Sequence, residues 1–228
     1  MAGAFRPRSD RPRRQFLAGL AGSGPALQLG IGTGRLAVPL SRRGIRVHGI
    51  ALSPAMVRQL RARQAEADID VTLGDFAHAQ LGDTFALVYL LRNTITNLTT
   101  QDEQVAAFGN AAAHLQPGGY FVVENYVPAL QRLPPGDTVH VFTRTPTHLG
   151  FEEYDLAAQV AVSHHYWIID GDLKTFSSPH RYAWPAELDL MARIAGMSLC
   201  ARYSDWKRTA FTSASQSHIS VWQKPSGS

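Results

Sequence analysis

Residues 27–38 read Leu-Gln-Leu-Gly-Ile-Gly-Thr-Gly-Arg-Leu-Ala-Val: an apolar strand runs directly into glycines at 30, 32 and 34 and then into a helical pattern. Glycines at alternate positions let the chain turn sharply and remove the Cβ atoms that would keep a ligand off the backbone. The helix start that follows offers amides with no partner inside the helix. Such a segment builds a nucleotide-cofactor site at the carboxyl end of a strand, where open α/β sheets bind their ligands.

The chain around it alternates accordingly. Strands are predicted at 26–29, 45–50, 69–73 and 85–91, with helices over 35–42 and 54–65, a pattern that specifies a parallel, doubly wound sheet. Gly44 is placed to stop the first of these helices, and Ser53-Pro54 supplies a cap and a first-turn proline for the next. A helix over 102–115 shows Val105, Phe108, Ala112 and Leu115 on one face. Gln116 to Gly119 should end it before a fifth strand at 120–124.

After Glu124 the composition turns to His, Tyr, Trp and β-branched residues until Trp184, which reads as an insertion into the α/β plan. Strands are predicted at 138–142, 158–169 and 174–182, with a tight turn at Asp170-Gly171-Asp172, giving an antiparallel cover. A helix over 185–196 and a closing hairpin, 198–206 with 218–223, complete the chain.

Composition removes several function classes. The 228 residues, 45% of them hydrophobic, suit one α/β domain, and the single cysteine, Cys200, rules out an internal disulfide or a thiolate metal cage. No run approaches the length of a membrane helix, so neither a membrane partner nor a location outside the cytoplasm is expected. Five arginines against one aspartate in the first fourteen residues account for the whole formal charge of +4. Residues 1–14 are therefore predicted to be a disordered basic arm rather than a nucleic-acid surface, and 15–228 a single domain. The arm carries only Phe5 as an aromatic, so no folded aromatic lid is expected from it. Arg13-Arg14-Gln15-Phe16-Leu17 looks like an export signal, but cleavage beyond it would damage the glycine strand. Residues 15–20 are read instead as an opening helix.

Taken together, Gly30-x-Gly32-x-Gly34, His48-Gly49-Ile50-x-Leu52-Ser53-Pro54-Ala55-Met56, Gly74-Asp75-Phe76 and Leu115-x-Pro117-Gly118-Gly119-Tyr120-Phe121-Val122-Val123-Glu124 resemble the class I S-adenosylmethionine-dependent methyltransferases. The glycine spacing does not match that of nicotinamide dehydrogenases, and no acid ends the second strand. Arg181-Tyr182-x-Trp184-Pro185-x-Glu187-Leu188 is similar to small-molecule enzymes of actinobacterial metabolism. The resemblance implies a Rossmann-like, mostly parallel seven-stranded sheet with an antiparallel terminal hairpin. It implies S-adenosylmethionine as cofactor and methyl transfer to an N or O of a small molecule.

The resemblance also implies roles. Gly30, Gly32 and Gly34 would face the methionine and ribose, Asp75 would accept the adenine amino group and Phe76 would lie against the adenine ring, with Gln28, Leu52 and Leu91 as further cofactor contacts. Two positions depart from the family pattern, because Gln28 and Ala51 stand where relatives carry acids. The missing ribose acceptor at Ala51 should weaken the cofactor by about 1.5–3 kcal/mol. That departure motivates two alternatives, a fold recruited to cyclase or isomerase chemistry and a degenerate homologue without activity.

Candidate catalytic residues are Glu124, at the carboxyl end of the fifth strand, and His164 and His165, on the insertion. Asn93, Asn97, Tyr126 and Tyr166 are candidate substrate contacts. Strand alternation sends His164 and Tyr166 to one face and His165 and Trp167 to the other. No metal site is expected, since no second ligand cluster accompanies the histidines. The insertion at 125–184 should form the acceptor pocket and also serve as the contact of a homodimer.

Overall fold

The computed structural model describes residues 10–63 and 69–227. Seven strands form the main sheet: β1 (Ala26–Leu29), β2 (Val47–Ala51), β3 (Ile69–Leu73), β4 (Phe85–Leu90), β5 (Leu115–Tyr126), and the C-terminal β10 (Ser198–Tyr203) and β11 (Ser217–Gln223). Their order is β10-β11-β5-β4-β1-β2-β3. Pairing is parallel from β5 to β3 and antiparallel where β11 meets β5 and β10. The mostly parallel seven-stranded sheet with an antiparallel terminal hairpin is the architecture the sequence implied.

Helices α1 (Arg11–Ala21), α2 (Ala37–Ser41) and α3 (Pro54–Arg63) share one apolar core, which includes Leu17, Leu40 and Leu60. On the opposite face α4 (Gln101–Ala113) and α5 (Pro185–Ile194) bury Phe108, Leu188 and Met191 with Phe121 and Trp222. Local chemistry sets the boundaries. Thr100 and Glu103 cap α4 reciprocally, the Ser53 hydroxyl accepts the Met56 amide at 3.3 Å, and Gly44 closes the α2 region at φ 85°. Among the described residues no helix is long and apolar enough to cross a membrane.

Three differences from the sequence reading have physical causes. Helix α1 begins at Arg11, so residues 11–14 are not an unstructured arm. Pro12 suits a first helical turn, and Arg13 finds Asp10 and Glu124 as partners. Residues 1–9 of the expected arm, including Phe5, lie outside the described residues, as does the expected end of α3 at 65. Gln116 to Gly119 do not break the chain before β5. The strand starts at Leu115 and absorbs Gly118, at φ 79°, as an irregularity beside β4.

The insertion forms a separate antiparallel sheet in the order β6-β7-β8-β9: β6 (Val139–Thr145), β7 (His148–Asp155), β8 (Val160–Ile169) and β9 (Asp172–Arg181). Strand β7 was not anticipated, because His-Leu-Gly-Phe-Glu-Glu-Tyr-Asp has no β-branched residue and two adjacent acids. Asp170 and Gly171, both at positive φ, form the tight turn between β8 and β9. The cover is fixed to the main domain through buried Arg181. Its guanidinium donates to Gln104 at 2.6 Å and Glu187 at 2.7 Å, joining β9 to α4 and α5. Burial pushes the Glu187 carboxyl up, but hydrogen bonds from Arg181, Gln159 and Gln101 outweigh it and hold the group below the usual carboxylate range.

One buried group makes stability depend on pH. Burial, reinforced by Arg202, lowers the His218 imidazole to about 4. Its Nδ1 meets Ser220 at 2.8 Å, while Nε2 is buried without a partner. The folded state therefore keeps His218 neutral while the unfolded chain binds a proton near pH 6.5. This contribution is complete above pH 6.5 and is lost as pH falls towards 4, about 3 kcal/mol in all. Urea midpoints of wild type and His218→Gln are expected to converge across that window on acidification. Parallel profiles would show that His218 does not titrate between the two states.

Candidate functional site

Strand β1 delivers Gln28 and the glycine loop to the carboxyl edge of the sheet. Gly30, Gly32 and Gly34 adopt φ of 67°, 56° and 71°, so the loop is shaped in a way that L side chains resist. A Cβ on Gly34 would come within 2.9 Å of Leu60, and one on Gly49 of β2 would collide with Ile31 of the loop. The resulting cleft, about 260 Å³, is lined by Gln28, Gly30, Gly32, Arg35, Leu91 and Arg92 among others. The Tyr89 hydroxyl donates to Gln28 Oε1 at 3.2 Å. The donor end of that amide is thus the part left for a ligand.

At the ends of β2 and β3, Ala51 is 4% exposed and Leu52 is 78% exposed. Asp75 accepts the Ala77 amide at 2.9 Å through Oδ1, and Phe76 packs half-buried against the second core. Gly34, Leu52, Asp75 and Phe76 lie outside the cleft wall itself. They flank the glycine loop along the carboxyl edge or, in Gly34, pack its base.

A second cavity, about 470 Å³, opens between the end of β4, the end of β5 and the inserted sheet. Asn93, Asn97 and Tyr126 line it, as do His140, Phe142, Glu152, Tyr154, Ser163 and His180. Arg92 lines both cavities, so they meet at the turn after β4. Arg92 and Asn93 sit there at φ 58° and 61°, two consecutive left-handed residues that are costly without support.

Glu124 supplies that support. Its Oε2 accepts the Arg92 amide at 3.0 Å, its Oε1 accepts the Trp206 indole at 2.7 Å and also pairs with Arg13, and its backbone carbonyl accepts the Asn93 amide. Both oxygens are committed to the fold, which fits a positioning carboxylate better than the base expected from sequence.

The histidine expectations need correction. Strand pairing puts His164 and Tyr166 on the face of the inserted sheet turned away from the cavity, where both stack on Phe151. His164 also meets Ser177 at 2.9 Å. His165 faces the cavity side but lies beyond its wall, 3.0 Å from His148 and stacked on Trp167. The face that meets the cavity is built from two cross-strand rows, His140-Glu152-Ser163-Ser178 and Tyr154-Ala161-His180. Sequence reading missed Glu152, Tyr154, His140 and His180. The spacing that could have revealed them is the two-residue link Pro146-Thr147, which makes β6 and β7 a hairpin.

Within this face the Glu152 carboxylate accepts the hydroxyls of Tyr154 and, at 3.3 Å, Ser163. Burial raises the Tyr126 and Tyr154 hydroxyls above their ordinary range and Glu152 adds to it, so both stay protonated donors. Burial lowers the His180 imidazole, with Glu152 opposing, and His180 Nδ1 is buried without a partner. Among the described residues no group of three or more His, Cys, Asp or Glu is arranged to hold a metal ion.

Comparison with known proteins places this geometry. Residues 26–119 match the family described as a methyltransferase domain. The structure of the CcbJ methyltransferase from Streptomyces caelestis is 37% identical, covers 99% of this chain and 93% of its own, and superposes with a TM-score of 0.86. The cypemycin N-terminal methyltransferase of a Streptomyces species is 28% identical over 203 residues, 87% of this chain and 82% of that protein. CalS10, an amino pentose methyltransferase from Micromonospora echinaspora involved in calicheamicin biosynthesis, shares the fold at 22% identity. Its TM-score is 0.73, covering 96% of this chain and 93% of its own.

Proposed function

The chain belongs to the class I S-adenosylmethionine-dependent methyltransferase family, and on that premise we propose that it methylates a nitrogen of a small molecule held in the cavity beneath the inserted sheet. One observation carries the reading: the glycine cleft and the larger polar cavity meet at Arg92, so a cofactor in one can face an acceptor in the other. The preference for nitrogen draws support from the cypemycin relative, which is named an N-terminal methyltransferase.

The residues present fit the cofactor at its methionine end, where a side chain on the glycine loop would fill the cradle, and fit it incompletely at the ribose, where Ala51 offers no acceptor. Bound S-adenosylmethionine supplies a methyl group activated by a sulfonium. Gln28 with Gly30, Gly32 and Gly34 would hold the amino-acid half, Asp75 and Phe76 the adenine, with Leu52 and Leu91 as apolar walls. Asn93, Asn97 and Tyr126 would orient the acceptor, and Glu124 would keep the Arg92-Asn93 turn in shape. Positioning of this kind can supply most of the rate of a simple displacement.

Incubation with S-adenosylmethionine and a panel of amines, each paired with its hydroxyl analogue, tests the reading by mass spectrometry. Methylated amines with release of S-adenosylhomocysteine are expected. Methylation confined to the hydroxyl partners would overturn the nitrogen assignment. The outer face of the inserted sheet exposes Val139, Val141, Leu149, Tyr166, Ile168 and Leu173 together, which supports this face as the contact of a homodimer. Sedimentation is expected to give a dimer that Ile168→Lys dissociates, and an unchanged mass for the variant would place the contact elsewhere.

A further inference from the structure

We infer that Glu152 holds the acceptor's ammonium group and that His180 takes the proton an amine must lose before it can attack. The inference rests on the larger cavity being the acceptor site. Glu152 is the one carboxylate in the described wall of that cavity, and it has no cationic partner among the described residues. Neighbouring acids are used differently. Glu187 pairs with Arg181, Glu153 lies near His164 on the other face, and Asp155 accepts backbone amides. Two hydroxyls fix the Glu152 carboxylate without neutralising it. A fixed, unpaired anion facing a cavity is built for a cation that arrives with the substrate.

His180 stands one cross-strand row away on the same face, next to Tyr154 through Ala161. Its Nδ1 is enclosed and has no partner, so Nε2, which is not enclosed in this way, is the ring nitrogen that would take the proton; His140 lies on the edge strand β6. The groups lining the cavity around His180 are Glu152 and Tyr154 of β7, Tyr126 of β5, His140 of β6, and Arg92 and Arg132. Both tyrosines keep their protons, and the arginines cannot accept one. That leaves the two imidazoles, His140 and His180, as groups able to receive a proton; burial alone would make His180 a weaker acceptor, and the opposing Glu152 charge is what would stabilise its imidazolium. In the proposed step the ammonium N–H bond breaks, its electron pair stays on nitrogen as the nucleophilic lone pair, and the proton passes to His180.

A titration without turnover tests this. Protein saturated with S-adenosylhomocysteine is titrated with methylammonium chloride while NMR follows the Gly30, Gly32 and Gly34 amides and the His180 ring. S-adenosylhomocysteine should move the glycine amides. Methylammonium should then move the His180 ring in the wild type, with apparent affinity reduced about tenfold or more in Glu152→Gln. The isosteric change keeps acceptors for Tyr154 and Ser163, so its folding is checked by an unchanged amide spectrum elsewhere. If the glycine amides respond but methylammonium leaves His180 unmoved, or moves it equally in Glu152→Gln, the inference is wrong and the methyltransferase reading stands. If the glycine amides do not respond, the cofactor assignment fails and the inference falls with it.

Discussion

Ala51→Asp is expected to tighten S-adenosylmethionine binding by about ten- to a hundredfold. Ala51 ends β2 at the carboxyl edge of the sheet, packs in the first core at 4% exposure outside the cleft wall, and its carbonyl accepts the Gly74 amide, so its backbone is held in place. An acid there would give the ribose hydroxyls a two-pronged charged acceptor in a site partly shielded from water. The same change should destabilise the free protein, because a carboxylate placed at a buried position has no partner until the ligand arrives. Melting temperature is therefore expected to fall without ligand and to rise more steeply with added cofactor than in the wild type. An affinity unchanged by calorimetry would show that the ribose does not lie against residue 51.

Glu124→Ala should be the most damaging single change to the scaffold of the site, costing about 3 kcal/mol. The Glu124 and Arg13 side chains are only 13% and 19% exposed, so little solvent screening reduces the pair. Truncation leaves Arg13 with Asp10 alone and the Trp206 indole and the Arg92 amide without their acceptor, and it releases the left-handed turn that both cavities share. Glu124→Gln keeps acceptor capacity and loses only the charge, so its expected cost is smaller, about 1–2 kcal/mol, with turnover kept within a few fold. Denaturant midpoints and steady-state rates measured together decide the point. A Glu124→Gln enzyme with unchanged stability but no turnover would restore Glu124 as a base.

The parts of this fold legible in sequence are those whose signals are local. The glycine loop, the apolar run of β4, the Ser53 cap and the Asp170-Gly171 turn each announce themselves within a few residues. Helix α1 hid its start because Arg13, besides its local partner Asp10, is held by Glu124, more than a hundred residues away and joined only by the fold. Strand β7 was hidden for a different reason. Its Glu152 and Glu153 look like a solvated pair until the hairpin with β6 separates them onto opposite faces.

The site followed the same division. Alternation correctly separated His164 and Tyr166 from His165 and Trp167, but which face meets the cavity depends on how the inserted sheet docks, and Arg181 sets that through Gln104 and Glu187. The cavity therefore received Glu152 and His180, whose importance no short motif carries, while the conspicuous histidine pair fell outside its wall.

S-adenosylmethionine is expected to bind in the Gly30 to Gly34 cleft despite the alanine at position 51. Calorimetric titration of the purified protein with S-adenosylmethionine and S-adenosylhomocysteine tests it most directly. Saturable binding of both ligands, one per chain, and tightened in Ala51→Asp, is the expected result. The absence of binding at millimolar ligand in both proteins would contradict it and favour a fold put to other chemistry.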